Sequence, residues 1–289
     1  MEPVRQAIRT QVLSLVGSGK RTSADIDLTR PPGDDGLFGP NSVAWRVHGD
    51  FTTMMIGGVS ALLVQMLHPG PLAGVWDHSD FRKDATGRLR RTAQFIAATT
   101  YGSTATAEAM IARIRRVHDH VRGHLPDGTP YSANDPDLLA WVHVAETDSF
   151  VRAYIRYREP GFTRADEDRY FAEMAVVAER LGSAPVPTSR RATDAYLRAV
   201  RPQLRVDHRT RDIARALLSR PAPNLAIAPM RSLMLEAGVD LMPDWARAMH
   251  GLNRSGLATP AVRAGAMGLG MVLRWALSAG SAENRARAS

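Results

Sequence analysis

Apolar residues recur at helical spacing along nearly the whole chain, and alternating runs of β-branched residues are missing. Ala, Leu, Arg and Met dominate between short stretches rich in Pro, Gly and Asp, which favours helices joined by loops. The spacing predicts a first helix over 4–17 and a loop over 29–41. Ser42 is an N-cap candidate for a helix to about Gly49. A strongly apolar helix follows over 51–67. His68-Pro69-Gly70-Pro71 ends it, because proline has no N–H and restricts the residue before it. A short helix over 72–80 and a loop over 83–87 lead to helices over 88–101 and 104–122, with Gly123 as the C′ residue of the latter. The loop over 124–134 carries two turn signals. Asp135-Pro136 then starts a helix to about Arg158, and Thr163 to Asp166 resembles a capping box for the next. Further helices are expected over 188–200, 208–219, 227–237, 243–252 and 260–279. The pattern gives an all-α fold in a single, mostly helical domain spanning 1–289.

Composition narrows the chemistry. The 289 residues include no cysteine, so disulfides, thiolate-ligated haem, iron–sulfur clusters and cysteine-based zinc sites are excluded. Any metal held by the protein would use His, carboxylate, Tyr or Met. The net charge is +8, and Lys20 and Lys83 are the only lysines, so arginine carries almost all of it. The arginines are spread out, with no basic tail and no interleaved aromatics, and nucleic acid is not an expected partner. No signal-peptide pattern follows Met1, and a cytoplasmic location is expected. The apolar stretch over 54–67 contains Gly57, Gly58 and Gln65 and is too short to span a bilayer, so it reads as a buried core helix. The stretch over 261–280, interrupted by Arg263 and Arg274, reads as a helix against the body or as a contact with a second copy or a membrane surface.

The segment from Arg88 to Arg122 holds the strongest candidate chemistry. On the helix expected over 104–122, Ala107, Met110, Ile111, Ile114, Val117 and Val121 form the apolar stripe. His118 lies at the edge of that stripe and His120 on the polar side. Arg115 and Arg122 fall three residues before and four after His118, on the same helical face. An imidazole between two guanidiniums suits an iron porphyrin, with the ring nitrogen for the metal and the arginines for the propionates. It also suits a hydrogen-bonded packing residue beside Arg–carboxylate pairs. Arg88, Arg91, Thr92 and Phe95 share a face of the preceding helix, either as a solvated first turn or around a bound anion. His68 ends a helix, and His78 sits among Asp77 and Asp80. His143 has Glu146 one turn on, but no second Glu-x-x-His copy completes a di-iron bundle. No P-loop, dinucleotide fingerprint or G-x-S-x-G is present.

Several segments together resemble a known family. They are Phe38-Gly39-Pro40-Asn41-Ser42 with Trp45-Arg46, Gln65-Met66-Leu67-His68-Pro69, Asp77-His78-Ser79-Asp80-Phe81, Gly87-Arg88 with Arg91-Thr92, and Val117-His118 with Val121-Arg122-Gly123. A last block runs from Tyr131-Ser132-Ala133-Asn134-Asp135-Pro136 to Trp141-Val142-His143. They cover roughly 38–160 and are similar to the catalytic domain shared by rubber oxygenase (latex-clearing protein) and the mycophenolate-pathway oxygenase. The resemblance implies a globin-like helical core around b-type haem, with His118 as the proximal iron ligand and Arg115 and Arg122 as its flanking arginines. It matches Arg88 and Thr92 to the family's Arg-x-x-x-Thr motif. Where rubber oxygenases can carry an iron-binding Lys, this chain has Arg91, which cannot normally ligate. The distal position is then open, water-bound, or filled by a residue such as His68 or His143.

The expected function is a haem b-dependent oxygenase or related oxidoreductase acting on an apolar, alkene- or isoprenoid-like small molecule. Dioxygen or a peroxide would be the oxidant, and an electron donor is a further candidate partner. Arg88 or Arg91 would polarise the oxidant, Thr92 would donate a hydrogen bond, and the helix over 51–67 would line the substrate pocket. Two alternatives stay open: a haem-binding sensor or carrier without turnover, and a metal-free helical scaffold with Asp77, Asp80 and Asp148 as arginine partners.

Overall fold

The computed structural model describes residues 5–6, 9–10, 28, 30–82, 85–219, 227–253 and 258–277. Among them are twelve α-helices and one two-stranded sheet. The helices run in the order α1 (Val43–His48), α2 (Phe51–Gln65), α3 (Pro69–His78), α4 (Ala85–Tyr101), α5 (Thr104–His118), α6 (Pro136–Tyr157), α7 (Arg164–Leu181), α8 (Arg190–Val200), α9 (His208–Leu218), α10 (Ala228–Leu241), α11 (Asp244–His250) and α12 (Ala258–Leu277). The expected all-α domain is what forms. The helix expected over 4–17 lies largely outside the described residues.

Local chemistry sets the helix starts. The Ser42 hydroxyl accepts from the Trp45 N–H at 3.2 Å, and the Asp50 carboxylate accepts from the Thr53 N–H at 2.9 Å. Asp135 accepts from the N–H groups of Asp137 and Leu138, with Pro136 behind it, and Thr163 accepts from Asp166. Each satisfies donors that a helix N-terminus leaves open.

Helix α2 is the centre of the fold. It is apolar around its circumference, and it packs along α6 on one side and α10 on the other. Two glycines permit this approach. A Cβ on Gly57 would stand 2.8 Å from Phe150 Cδ1 and 3.1 Å from the Ser149 carbonyl oxygen. One on Gly238 of α10 would stand 2.5 Å from Val59 Cγ1 and 3.1 Å from the Ile56 carbonyl oxygen. The end of α2 is tied to α6 by reciprocal bonds. The Trp141 indole donates to the Gln65 carbonyl oxygen, and the Gln65 amide donates to that of Val142, each at 3.2 Å.

The structure corrects the sequence reading at three boundaries. Helix α5 stops at His118 instead of continuing to 122, and β1 (Arg122–His124) pairs antiparallel with β2 (Pro130–Ser132) in what reads as plain loop. Asp119 ends the helix in a right-handed conformation, and the chain leaves through tight turns to Val121, whose carbonyl oxygen accepts from the Ala133 N–H at 2.8 Å. Gly123 is therefore a strand residue and not a C′ cap. A Cβ there would meet the Tyr131 hydroxyl at 2.9 Å, and that hydroxyl donates to Asp77 of α3 at 2.7 Å. Second, Pro69 opens α3 directly after α2, so the proline run both ends one helix and starts the next. Third, α4 begins at Ala85, one turn before the expected start at Arg88.

Buried carboxylates anchor several of the many arginines. Asp240 of α10, 4% exposed, accepts from Arg156 at 3.1 Å and from Arg263 at 2.8 Å, joining α6, α10 and α12. Asp50 accepts from Arg274 at 2.9 Å, and Asp148 holds Arg152 and Arg190. Helix α12 buries Val262, Ala266, Leu273 and Ala276 and leaves Met267, Met271, Val272 and Trp275 exposed. Among the described residues no single helix is long and apolar enough to cross a membrane.

Gly238→Ala is expected to lower stability by about 1–3 kcal/mol, because the overpacking against Val59 and the Ile56 carbonyl outweighs alanine's better helix propensity of ~1 kcal/mol. Urea unfolding followed by circular dichroism measures it. Equal or higher stability would mean that α2 and α10 do not approach this closely.

Candidate active site

Three helices bring the candidate residues together. Helix α4 carries Arg88, Thr92 and Phe95 at helical spacing, and all three are half-buried, while Arg91 beside them is exposed. Helix α5 contributes its last residue, His118. Helix α6 contributes His143 and Glu146, one turn apart on one face. Arg88 is the electrostatic centre of the group, because it acts on His118, on Glu146 and on its like-charged neighbour Arg91.

The surroundings of these groups are unusual. Arg88, His143 and Glu146 are each half-buried, in surroundings that disfavour the charged form of each. None of the three side chains makes a hydrogen bond or a close ion pair with a described residue. Burial pushes the Arg88 guanidinium down to about 10, helped by Arg91 and opposed by Glu146. The same burial pulls His143 down to about 4 and raises the Glu146 carboxyl to about 7, with Arg88 pulling the latter back. At neutral pH, then, the three groups are a charged guanidinium, a neutral imidazole and a carboxyl near the middle of its titration.

His118 stands at the edge of this region. Its ring is half-buried, its Nδ1 is sealed from solvent without a hydrogen-bond partner, and its Nε2 retains accessible surface. Burial lowers its pKa, with Arg88 acting in the same direction and Asn134 and Asp119 opposing, so the ring favours the neutral form that binds metals. No group of three or more His, Asp or Glu stands close enough to hold a metal ion among the described residues. A metal bound here through His118 needs its other ligands from elsewhere, and a tetrapyrrole supplies four nitrogens. The donor set therefore fits a haem, with one imidazole and nearby cations.

The remaining expected residues divide. Arg115 is exposed, and its Nη1 donates to the Arg180 carbonyl oxygen at 3.4 Å. Arg122 is exposed on β1, opposite Ser132, so it does not share a helical face with His118 as the spacing suggests. Val117, expected in the apolar stripe, is 51% exposed beside His118. His68 is occupied elsewhere: Nδ1 accepts from the Gly70 N–H at 3.2 Å as the N-cap of α3, and Nε2 reaches Gln203 Oε1 at 3.3 Å. With both nitrogens engaged, His68 has no lone pair free for iron, and the idea that it fills a distal position is withdrawn. His120 is exposed, in keeping with its polar-side position. Asp77 accepts from Tyr131, and Asp148 pairs with Arg152 and Arg190, so neither serves the candidate arginines.

Two members escaped the sequence reading. Glu146 is visible there only as half of a weak metal motif, because periodicity does not show that α6 turns this face toward Arg88. Asn134 lies in the Tyr131–Pro136 block, yet nothing in the spacing connects it to His118 across the hairpin.

The comparisons with known proteins give the family. The family model described as ER-bound oxygenase mpaB/B'/Rubber oxygenase, catalytic domain, matches residues 45–275. No curated protein and no solved structure matches the chain. The matched span takes in every residue of the candidate site and most of the sequence, and the chain belongs to the mpaB/rubber oxygenase catalytic-domain family.

Proposed function

We propose that this oxygenase-family domain is haem b-dependent and acts on an apolar small molecule, with His118 binding the haem iron through Nε2. The observation that carries the reading is a set of half-buried polar groups, Arg88, His143 and Glu146, that make no hydrogen bond with a described residue, with Arg88 acting on an imidazole whose Nδ1 has no partner. Buried charges left unpaired are costly, so a chain that retains them has a ligand to meet. A metal-free scaffold would pair its arginines with Asp77, Asp80 and Asp148, of which Asp77 and Asp148 are engaged elsewhere.

Bound haem would supply an iron that activates dioxygen or a peroxide. The side chains have separate roles. His118 offers a neutral nitrogen lone pair. Arg88 holds a positive charge against an anion or a polarised oxygen in a water-poor space, where such a charge acts most strongly. Glu146, with a pKa near neutrality, takes or returns a proton at its carboxyl oxygens. Thr92 donates a hydrogen bond from the same face as Arg88, and Phe95 gives an apolar wall for the substrate. Arg115 and Arg122, both exposed, would meet the propionates of a bound haem, and His143 would supply a neutral imidazole near Glu146.

His118→Ala is expected to abolish the Soret band of haem-loaded protein and reduce bound haem to background in a pyridine haemochrome assay. Full haem retention in a folded variant would reject the assignment. A second expectation concerns Glu146. In the haem-free protein its carboxyl titrates near 7, against 4.5 for a free one, so the unfolded chain loses this proton first as pH rises. The burial therefore costs little below pH 4.5 and destabilises progressively up to about 7, by on the order of 2–3 kcal/mol at the plateau. Glu146→Gln should be more stable than the parent at pH 8 and nearly equal to it at pH 4, by thermal or urea unfolding. A difference that does not depend on pH would place Glu146 in water.

A further inference from the structure

Two buried polar atoms beside the end of α5 have no hydrogen-bond partner, His118 Nδ1 and the amide oxygen Oδ1 of Asn134. Orphans of this kind are uncommon in folded proteins. The orientation of Asn134 is fixed by what its other end does. Nδ2 donates to the Arg115 carbonyl oxygen at 3.2 Å and to Asp119 Oδ1 at 2.7 Å. A carbonyl and an ionised carboxylate only accept, so the amino group must face them and Oδ1 must face the opposite way. The His118 ring lies near enough to this side chain for Asn134 to raise its proton affinity, although no hydrogen bond joins the two orphaned atoms as they stand. The backbone is anchored as well, since the Asn134 N–H donates to Ser132 Oγ at 3.3 Å just after β2. One orphan is an obligate acceptor, and the other becomes a donor when Nδ1 carries the imidazole proton.

We propose that Asn134 is a positioning residue for His118. Its Oδ1 accepts the Nδ1 proton, fixes the ring plane and holds the tautomer that leaves the Nε2 lone pair free. The purpose of that lone pair rests on the haem reading above, but the tautomer exists in the protein without haem. A ligating histidine whose second nitrogen is oriented in this way binds its metal more tightly and in one geometry.

Long-range proton–nitrogen NMR on the isotope-labelled, haem-free full chain tests the assignment at alkaline pH, where the ring is neutral. The expected spectrum shows His118 protonated on Nδ1 and bare on Nε2. A ring protonated on Nε2 overturns the proposal whatever the variants do. Asn134→Ala should shift the ring toward the Nε2-protonated form and weaken haem binding by about 10–100-fold. It should also move the iron–histidine stretching band of the ferrous protein to lower frequency. An unchanged tautomer and an unchanged band overturn the proposal. Asp119→Ala removes one holder of the Asn134 amide and leaves Oδ1 in place, and it is read if Asn134→Ala does not fold. A smaller shift in the same direction supports the assignment, and an unshifted ring overturns it. A wild-type ring protonated on Nδ1 in a protein that binds no haem would remove the haem reading and leave Asn134's role standing.

Discussion

A half-buried guanidinium, Arg88, with no carboxylate of the described residues at hydrogen-bond distance, is the constraint on which this structure turns. Elsewhere the chain gives its inward arginines partners: Arg190 has Asp148 and Asp194, and Arg156, Arg247 and Arg263 converge on Asp240. Arg88 departs from that rule. The nearest compensating group, Glu146, is itself shifted toward its neutral form, so the pair does not cancel. An arrangement of this kind persists when a ligand supplies the missing interactions.

The fold delivers that arrangement through boundaries more than through long elements. Helix α5 stops at His118, and the hairpin that follows is clamped to α3 through Tyr131 and Asp77. The clamp sets where Asn134 sits, and Asn134 in turn reaches back to Arg115 and Asp119 at the end of α5. Helix α6 starts at once from the Asp135 cap and carries His143 and Glu146 toward its middle, just past the Trp141 and Val142 bonds to the end of α2. A single stretch from 115 to 146 thus controls the position of most of the polar groups in the site.

Much of this was legible in the sequence because its signals are local. Caps at Ser42, Asp135 and Thr163, apolar spacing, and the near absence of β-branched alternation give the helices and the all-α class. The half-buried ring of His118 also follows from helical periodicity, whereas His120, though exposed as expected, lies past the end of α5. The losses have physical causes. Three-residue strands carry too little pattern to read, so α5 seemed to run on to 122 and Arg122 seemed to share the face of His118. A capping histidine and a ligating histidine look alike in sequence, and only the hydrogen bonds of His68 separate them. Glu146 needed tertiary information, since nothing local reports its burial near Arg88.

The glycine contacts of α2 have a bearing on how far this protein can be trimmed. The family-like motifs crowd into the first half of the chain, which invites the view that the rest is an appendage. Helix α2 has no polar side to turn to water, and Gly238 brings α10 against Ile56 and Val59. A fragment ending before Ala228 would leave that flank of the central helix bare, a greasy strip along its middle turns. The smallest unit that can stand by itself therefore extends through α10, well past the last residue of the site.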